Sequence, residues 1–317
     1  MNTVEFEQVT DDSYGGKAAG LAELIRLGLD VPPGFVIADA GADLVVVDTQ
    51  SDTTVPAHTT VPADTTARWY RRMAEAGAIP VAVRSSAAGE DGAHQSFAGQ
   101  YDTVLGVDSA EALAEAVRTC VASAASGRAT AYRGAGPDSP ATDSPATTSP
   151  ATDSPATMHL VVQQMVDARA AGVVFTADPT TGRRDLMVID AVAGLGESLV
   201  DGTASPDHLV LDAAGTVAVS EVGERPVLLA EDIAAIRSGA LTAERHWDRP
   251  MDLEWAIDRD GRLWWLQARP ITTLPADLGG MDSTLAGADH VYTRCNIGEM
   301  MPGACGADEV LEAMSPR

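Results

Sequence analysis

Four tandem pentads between Asp138 and Thr157 constrain the architecture of this chain more than any other feature. They read DSPAT, DSPAT, TSPAT and DSPAT. A proline in every pentad and the lack of bulky apolar residues prevent this stretch from forming a packed element. The core must therefore be built from the residues on either side. The repeat is either a surface insertion or a linker between two lobes, and we favour this interpretation over a function encoded by the repeat itself.

Helical and strand-like patterns mix on both sides of the repeat. Apolar residues at helical spacing predict four helices, within 16–29, where Gly28 closes the helix, and over 68–76, 109–133 and 230–247. Runs of β-branched residues between turn signals predict the strands, including a hairpin around Ala214-Gly215. Residues 39–66 are weakly patterned, which predicts irregular structure. Because strands and helices follow no regular βαβ order, the predicted fold class is α+β.

The chain is strongly acidic, with a formal net charge of −25 over 317 residues. This charge repels nucleic acid and anionic membrane surfaces, so neither is an expected partner. A polyanionic ligand would need a locally basic pocket or bound metal ions. Nearly all the basic residues are arginines, and Lys17 is the single lysine. Its retention between glycines and a helix start suggests a specific use, although chance retention is an equally good explanation until its neighbours are considered.

The cysteines, the N-terminus and the apolar runs of the sequence bear on where the protein is located. The three cysteines (Cys120, Cys295 and Cys305) are widely spaced and show neither a disulfide framework nor zinc-ligand spacing. The N-terminus lacks the basic and apolar regions of a signal peptide. No apolar run approaches the roughly 20 residues needed to span a bilayer. We therefore expect a cytoplasmic protein.

The stretch 251–271 predicts a hairpin that turns at Asp258-Arg259-Asp260-Gly261. Strand alternation then puts Glu254, Gln267 and Arg269 on one face, with Glu254 opposite Gln267 in one of two possible registers. The other face is predicted to carry Leu253, Trp255, Trp264 and Leu266. Carboxylate and amide oxygens suit Mg²⁺. From these residues alone, an ordinary solvent-facing polar strand surface is the favoured alternative.

Two further stretches have the composition of anion sites. In VAVRSS, Arg84 precedes the small residues Ser85 and Ser86 and a small-residue loop that runs through Gly99, so that backbone N–H groups and a guanidinium can approach phosphate oxygens. Lys17 follows two glycines at a helix start, where backbone donors, helix dipole and ammonium converge. Neither stretch is a Walker A loop or a GxGxxG turn. An ordinary glycine-rich hairpin remains the alternative for the first stretch.

Five stretches together resemble, in the same order, the ATP-binding domain of phosphoenolpyruvate synthase, and pyruvate phosphate dikinase and rifampicin phosphotransferase are similar. They are GGKAAGLAELIRLGLDVPPGFVI, VAVRSSAAGEDGAHQSFAGQYDTVLGV, VVQQMVDARAAGVVFTADPTTG, AVAGLGESLVDGTASPDHLVL and DLEWAIDRDGRLWWLQARPITTL. The resemblance covers about residues 13–275. It implies a two-lobed fold of the ATP-grasp type. The implied division is an N-terminal lobe over 1–136, the insert over 137–157, a C-terminal lobe over 158–275 and a tail over 276–317.

The resemblance also implies an activity, with ATP and Mg²⁺ as cofactors. Such enzymes cleave ATP to AMP and phosphate and pass a phosphoryl group to a histidine on a swivelling domain. The implied ATP-binding residues are Lys17, Arg84, Gly99, Thr103, Gln163, Glu254, Gln267 and Arg269. Lys17, Arg84 and Arg269 would bind phosphates, Gly99 and Thr103 would line the nucleotide loop, and Gln163 would contact the adenine side. The implied catalytic residues are Arg84, Glu254, Gln267 and Arg269, with Glu254 and Gln267 holding Mg²⁺.

The sequence departs from the pattern of this family in two places. The segment between Ile37 and Val81 looks short, and none of the six histidines lies in a GG-x-x-x-H phosphohistidine motif. His94, inside the second stretch, is better explained as a loop side chain than as an acceptor. We therefore expect the acceptor histidine on a separate domain or protein, as after a gene split or a truncation. The alternatives are a stand-alone ATP-grasp phosphotransferase or ligase for a small molecule, and a non-catalytic ATP-binding regulatory subunit.

Overall fold

A computed structural model describes residues 2–40, 45–47, 58–60, 63–87, 103–134, 158–196, 206–223, 225–272 and 274. The chain divides into a large compact unit, Met1–Thr272, and a second unit, Thr273–Arg317. Only Leu274 is described in the second unit. Three features named above, namely the pentad repeat, the loop with His94 and Gly99, and the tail, lie outside the described residues.

Strands and helices alternate irregularly along the large unit. The strands are β1 (Asn2–Glu5), β2 (Gly34–Ala38), β3 (Val45–Val47), β4 (His58–Thr60), β5 (Val81–Ala87), β6 (Thr103–Val107), β7 (Met158–Gln164), β8 (Ala168–Phe175), β9 (Leu186–Ala193), β10 (Asp207–Asp212), β11 (Val217–Glu221), β12 (Met251–Asp258) and β13 (Leu263–Pro270). The helices are α1 (Gly16–Arg26), α2 (Ala63–Glu75), α3 (Ala110–Gly134) and α4 (Ala230–Trp247). None of these helices, as far as the structure describes them, is long and apolar enough to cross a membrane.

The first sheet is antiparallel with the strand order β1-β2-β7-β5-β6. Alternate residues point to its two faces, and each face is covered by helix. One face buries Phe35, Val83 and Leu160 against residues of α2 and α3, among them Trp69 and Leu113. On the opposite face, Ala18 and Leu21 of α1 pack against Val36 and Val161. Burial of each large apolar side chain stabilises this arrangement by about 1.5–3 kcal/mol.

The second sheet is also antiparallel, with the order β11-β10-β9-β8-β12-β13. Ile236 and Ala240 of α4 pack in its core with the buried rings of Trp255 and Trp265. Leu24 of α1 belongs to the same core. Because α1 also covers the first sheet, this helix lies where the two sheets meet.

The structure confirms the predicted α+β class, and it modifies one detail. The short pair β3–β4 and the start of α2 lie within 39–66, where irregular structure was predicted. The prediction that Gly28 closes the first helix is confirmed, since α1 ends at Arg26 and Gly28 adopts a φ of +75° just beyond it. β7 follows the repeat in sequence but pairs inside the first sheet, so this sheet draws on both sides of the repeat. The predicted domain limits stay predictions.

Candidate functional site

The register of the β12–β13 hairpin depends on its loop and on a bulge. Asp258 donates its backbone N–H to the carbonyl of Arg262 at 3.0 Å, which leaves three residues in the loop. A register shift between Glu254 and Trp255 follows, and beyond it Glu254 pairs directly with Gln267. The predicted pairing of Glu254 with Gln267 is therefore confirmed, although the predicted strict alternation between the loop and this pair is wrong.

The bulge changes which aromatic residue reaches the core. Trp265, not Trp264, joins Leu253 and Trp255 in the core of the second sheet. Leu266 instead packs with Ala168, Ala171 and Ala256 on the other face. The prediction that Trp264 and Leu266 share the face of Leu253 and Trp255 is wrong, because the extra residue of a bulge inverts the alternation beyond it.

Arg84 connects the two sheets. It lies on β5 of the first sheet, and its Nη1 donates to the carbonyl of Leu266 at 3.3 Å. The same Nη1 lies 3.5 Å from Oε2 of Glu254, and the Arg84 side chain is only 16% exposed. Thr103 is the direct partner of Arg84 on β6. Arg84, Thr103, Glu254 and Gln267 are therefore brought together from four strands of two sheets.

Arg269 is oriented by a carboxylate that the sequence analysis did not select. Its Nε donates to Oδ2 of Asp252 at 2.9 Å, and the Asp252 side chain is 10% exposed. Asp252 lies two residues before Glu254 and therefore shares its face of β12. The sequence signal for Asp252 is this spacing, because strand alternation places residue 252 on the same face as Glu254.

The fit of Mg²⁺ to this site rests on the oxygen donors of Glu254 and Gln267. The Glu254 side chain is 36% exposed, and Gln267 opposite it is buried. Among the described residues no cluster of three or more His, Cys, Asp or Glu side chains forms a metal cage. This arrangement fits Mg²⁺ bound together with phosphate, because Mg²⁺ uses one or two carboxylates and takes its other ligands from phosphates and water.

Lys17 lies in the first turn of α1, next to β5. The Oγ of Ser86 accepts the backbone N–H of Ala18 at 3.3 Å and donates to the carbonyl of Tyr14 at 2.8 Å. Ser86 follows Arg84 by two residues on β5, so the two side chains share a face of the sheet. The helix start that carries Lys17 is therefore bonded to the strand that carries Arg84.

Gln163 lies deeper on the same face of the first sheet. It is 2% exposed, and its Nε2 has no hydrogen-bond partner among the described residues. Val161 pairs with Arg84, so Gln163, two residues further along β7, faces the same side. The predicted contact with the adenine side stays a prediction, and Gly99 lies outside the described residues.

A cavity of about 330 Å³ lies between α1, the end of β13 and the end of α4. Its lining includes Gly16, Glu23, His246 and Arg269. Nε2 of His246 lies 2.8 Å from Oε1 of Glu23, which ties α4 to α1 along one wall. The cavity reaches Arg269, whereas Arg84 and Glu254 are not in its lining, so it lies beside the predicted site rather than at its centre.

The sequence profile of the pyruvate phosphate dikinase, AMP/ATP-binding domain, matches residues 54–224 and 212–283. The chain belongs to this family. Three relatives each cover most of this chain. The probable phosphoenolpyruvate synthase of Methanocaldococcus jannaschii is 32% identical over an alignment of 319 residues. The alignment covers 83% of this chain and 26% of that protein. The probable phosphoenolpyruvate synthase of Methanothermobacter thermautotrophicus is 32% identical, with coverages of 85% and 46%.

The third relative is the prodigiosin synthesizing transferase PigC of Serratia marcescens, which is 36% identical over 91% of this chain and 36% of that protein. This dikinase-family chain thus spans less than half the length of each of these relatives. Among solved structures, D-alanyl-alanine synthetase A from Vibrio cholerae superimposes with a TM-score of 0.38 at 10% identity, over 84% of this chain and 57% of that one.

Proposed function

We propose that this chain is the ATP- and Mg²⁺-dependent phosphotransfer module of an enzyme of the phosphoenolpyruvate synthase type. It cleaves ATP to AMP and phosphate and passes a phosphoryl group to a histidine on a separate domain or protein. The observation that carries the proposal is the approach of Arg84, from the first sheet, to Glu254 and the Leu266 carbonyl of the second. Membership of the dikinase AMP/ATP-binding family supports it.

The chemistry expected of this site is positioning and charge neutralisation. Phosphoryl transfer requires little covalent help from the protein, and cations around the phosphates lower the barrier. Arg84 uses one N–H group on the Leu266 carbonyl, and a guanidinium has five, so donors remain for phosphate oxygens. Arg269 and Lys17 add two positive charges. Together they offset the repulsion that a molecule of net charge −25 exerts on ATP.

Glu254 and Gln267 would hold the Mg²⁺ through their side-chain oxygens. When bound, the metal would neutralise part of the phosphate charge. Asp252 keeps the Arg269 guanidinium directed along the same face of β12 and β13. The acceptor histidine, and the substrate that receives the group after it, belong to the proposed partner.

The test of this function mixes the purified chain with labelled ATP, Mg²⁺ and a protein that carries a phosphohistidine domain. We expect AMP, phosphate and acid-labile phosphate on the partner. Release of ADP with phosphorylation of a small molecule would contradict the proposal and support a stand-alone phosphotransferase. Binding of ATP without turnover in the presence of a competent partner would support a regulatory subunit instead.

Two substitutions address the site itself. We expect Arg84→Met and Glu254→Gln each to slow AMP formation by about 10²–10³-fold, because the first removes a cation at the phosphates and the second weakens a ligand of the Mg²⁺. Matched controls are Arg183→Met and Glu115→Gln, which remove exposed members of ion pairs elsewhere in the fold. Circular dichroism checks that all four variants fold. Turnover at the wild-type rate in both site variants would discard this assignment of residues.

A further inference from the structure

Ser86 is a buried hydroxyl between the strand that carries Arg84 and the helix that carries Lys17. It is 0% exposed. Its two hydrogen bonds go to the Tyr14 carbonyl and the Ala18 N–H, one on each side of the Gly15–Lys17 segment. A single side chain therefore holds both ends of the segment that presents Lys17.

The contact between this segment and β5 leaves no spare room. Gly15 adopts a φ of +88°, and a Cβ there would lie 2.4 Å from the Ser86 Oγ and 2.6 Å from the Ser86 backbone carbon. Such distances are far below van der Waals contact, so the segment packs this closely against Ser86 only because residue 15 has no side chain. Gly15 and Ser86 thus form a close contact between the segment that carries Lys17 and the strand that carries Arg84.

His159 supports this contact from the neighbouring strand. It is the direct partner of Ser86 on β7 and is 4% exposed. Its Nδ1 accepts the backbone N–H of Asp39 at 3.3 Å, and its ring meets the Tyr14 ring edge-on at 5.3 Å. Burial lowers the pKa of His159, against the opposing charge of Asp39. The neutral ring therefore keeps Nδ1 as an acceptor, and it contacts Tyr14, whose carbonyl accepts the bond from Ser86.

We propose that Ser86 is a positioning residue that fixes Lys17 relative to Arg84 for binding the ATP phosphates. This inference rests on the proposed function, because it assumes that Lys17 binds phosphate. Ser86 itself does not touch the nucleotide. Its hydroxyl acts through the segment that it holds.

A double-mutant cycle on the full chain tests the inference, with the equilibrium dissociation constant (Kd) of ATP in excess Mg²⁺ as the measurement. We expect Ser86→Ala to raise Kd about tenfold, since it removes two hydrogen bonds that fix the segment. In a Lys17→Met background the same substitution should raise Kd by less than about twofold, because the residue through which Ser86 acts is already gone. Ser86→Cys, which keeps a weak donor and acceptor, should give an intermediate Kd.

Thr176→Val is the matched control. Thr176 is 3% exposed, and its hydroxyl also makes two hydrogen bonds, one with the Met251 N–H of β12 and one with the Glu244 carboxylate of α4. This variant should lose stability while the Kd for ATP stays within about twofold of the wild type. An equal loss of affinity in Thr176→Val would show that general destabilisation explains the effect, and would overturn the inference.

Three other results have distinct meanings. Additive effects of Ser86→Ala and Lys17→Met, or an unchanged Kd in Ser86→Ala, would overturn the positioning role and leave the proposed function intact. No ATP binding by the wild-type chain would overturn the proposed function, and the inference with it. If Ser86→Ala does not fold, Ser86→Cys replaces it in the same cycle, with the same non-additivity expected.

Discussion

Gly15 and Gly77 both have a positive φ, but their surroundings differ. A Cβ at Gly15 would collide with Ser86, whereas a Cβ at Gly77 (φ +67°) would meet nothing within 4 Å. We expect Gly77→Ala to lower the free energy of unfolding by about 1 kcal/mol, from backbone strain alone. Gly15→Ala should cost about 1–3 kcal/mol more, because overpacking against Ser86 adds to the strain of a backbone (φ 88°, ψ 159°) that only glycine adopts readily. Urea unfolding of the two variants measures the difference, and equal losses would mean that the contact with Ser86 is loose.

Asp252 offers a second prediction at the scale of single residues. Asp252→Asn keeps the shape of the side chain but removes the charge that orients Arg269. We expect AMP formation to fall about tenfold, because a misplaced cation at the phosphates costs rate even when the fold is intact. The control is Asp190→Asn, which removes the carboxylate that contacts His208 at 2.7 Å in the second sheet. Equal rates in both variants would show that Arg269 needs no such partner.

The loop between β12 and β13 depends on one carboxylate. Oδ1 of Asp258 accepts the N–H groups of Asp260 and Arg262, and Oδ2 accepts Nε1 of Trp264 at 2.8 Å. Burial raises the pKa of Asp258, but the hydrogen bonds from Trp264, Arg262 and Asp260 outweigh it and hold the pKa below its ordinary value. The ionised carboxyl therefore stabilises the hairpin at pH values above the ordinary pKa range of carboxyl groups. This contribution is lost as the pH falls through the lowered pKa.

We expect Asp258→Ala to lower the free energy of unfolding by about 1–2 kcal/mol at pH 7, since three hydrogen bonds to an exposed loop are lost. The difference from the wild type should shrink as the pH falls below the ordinary Asp pKa of about 3.9 and through the lowered pKa of Asp258, where the carboxyl becomes protonated. Urea titrations of both proteins across this range provide the measurement. Asp167→Ala, at an exposed ion pair with Arg259, is the control. A difference that does not change with pH would exclude the carboxylate as its cause.

At the scale of elements, periodicity predicted most helices and strands, and it failed where the backbone departs from regular geometry. The limits of α4 match the prediction because its apolar spacing is regular from Ala230 to Trp247. Trp264 and Leu266 were assigned to the wrong face because a bulge leaves no trace in alternation. Strand alternation and the resemblance to the family together predicted that Glu254, Gln267 and Arg269 share one polar face of the hairpin. Its connection to Arg84 was not predictable from spacing, because it depends on how two sheets meet.

At the scale of the whole molecule, the net charge of −25 opposes the compact state. We expect the melting temperature to rise by a few degrees between about 0.05 and 0.5 M NaCl, as the screening length falls from about 14 to 4 Å. The affinity for ATP should fall over the same range, because its cationic contacts are screened too. Choline chloride serves as the control for specific sodium binding. A melting temperature that falls with salt would show that surface ion pairs, such as Arg262 with Asp30, outweigh the repulsion.

The position of β7 in the first sheet also affects when this sheet can fold during synthesis. The strand lies between β2 and β5, so the pairs β1–β2 and β5–β6 lack the strand that joins them into one sheet until Gln164 has left the ribosome. The nascent chain therefore exposes unpaired strand edges while the pentad repeat is being translated, and such edges are prone to aggregate. The need for chaperones should be greatest in that interval. A translational pause within the repeat would lengthen the time for which these edges are exposed, because the first sheet cannot be completed before β7 is made.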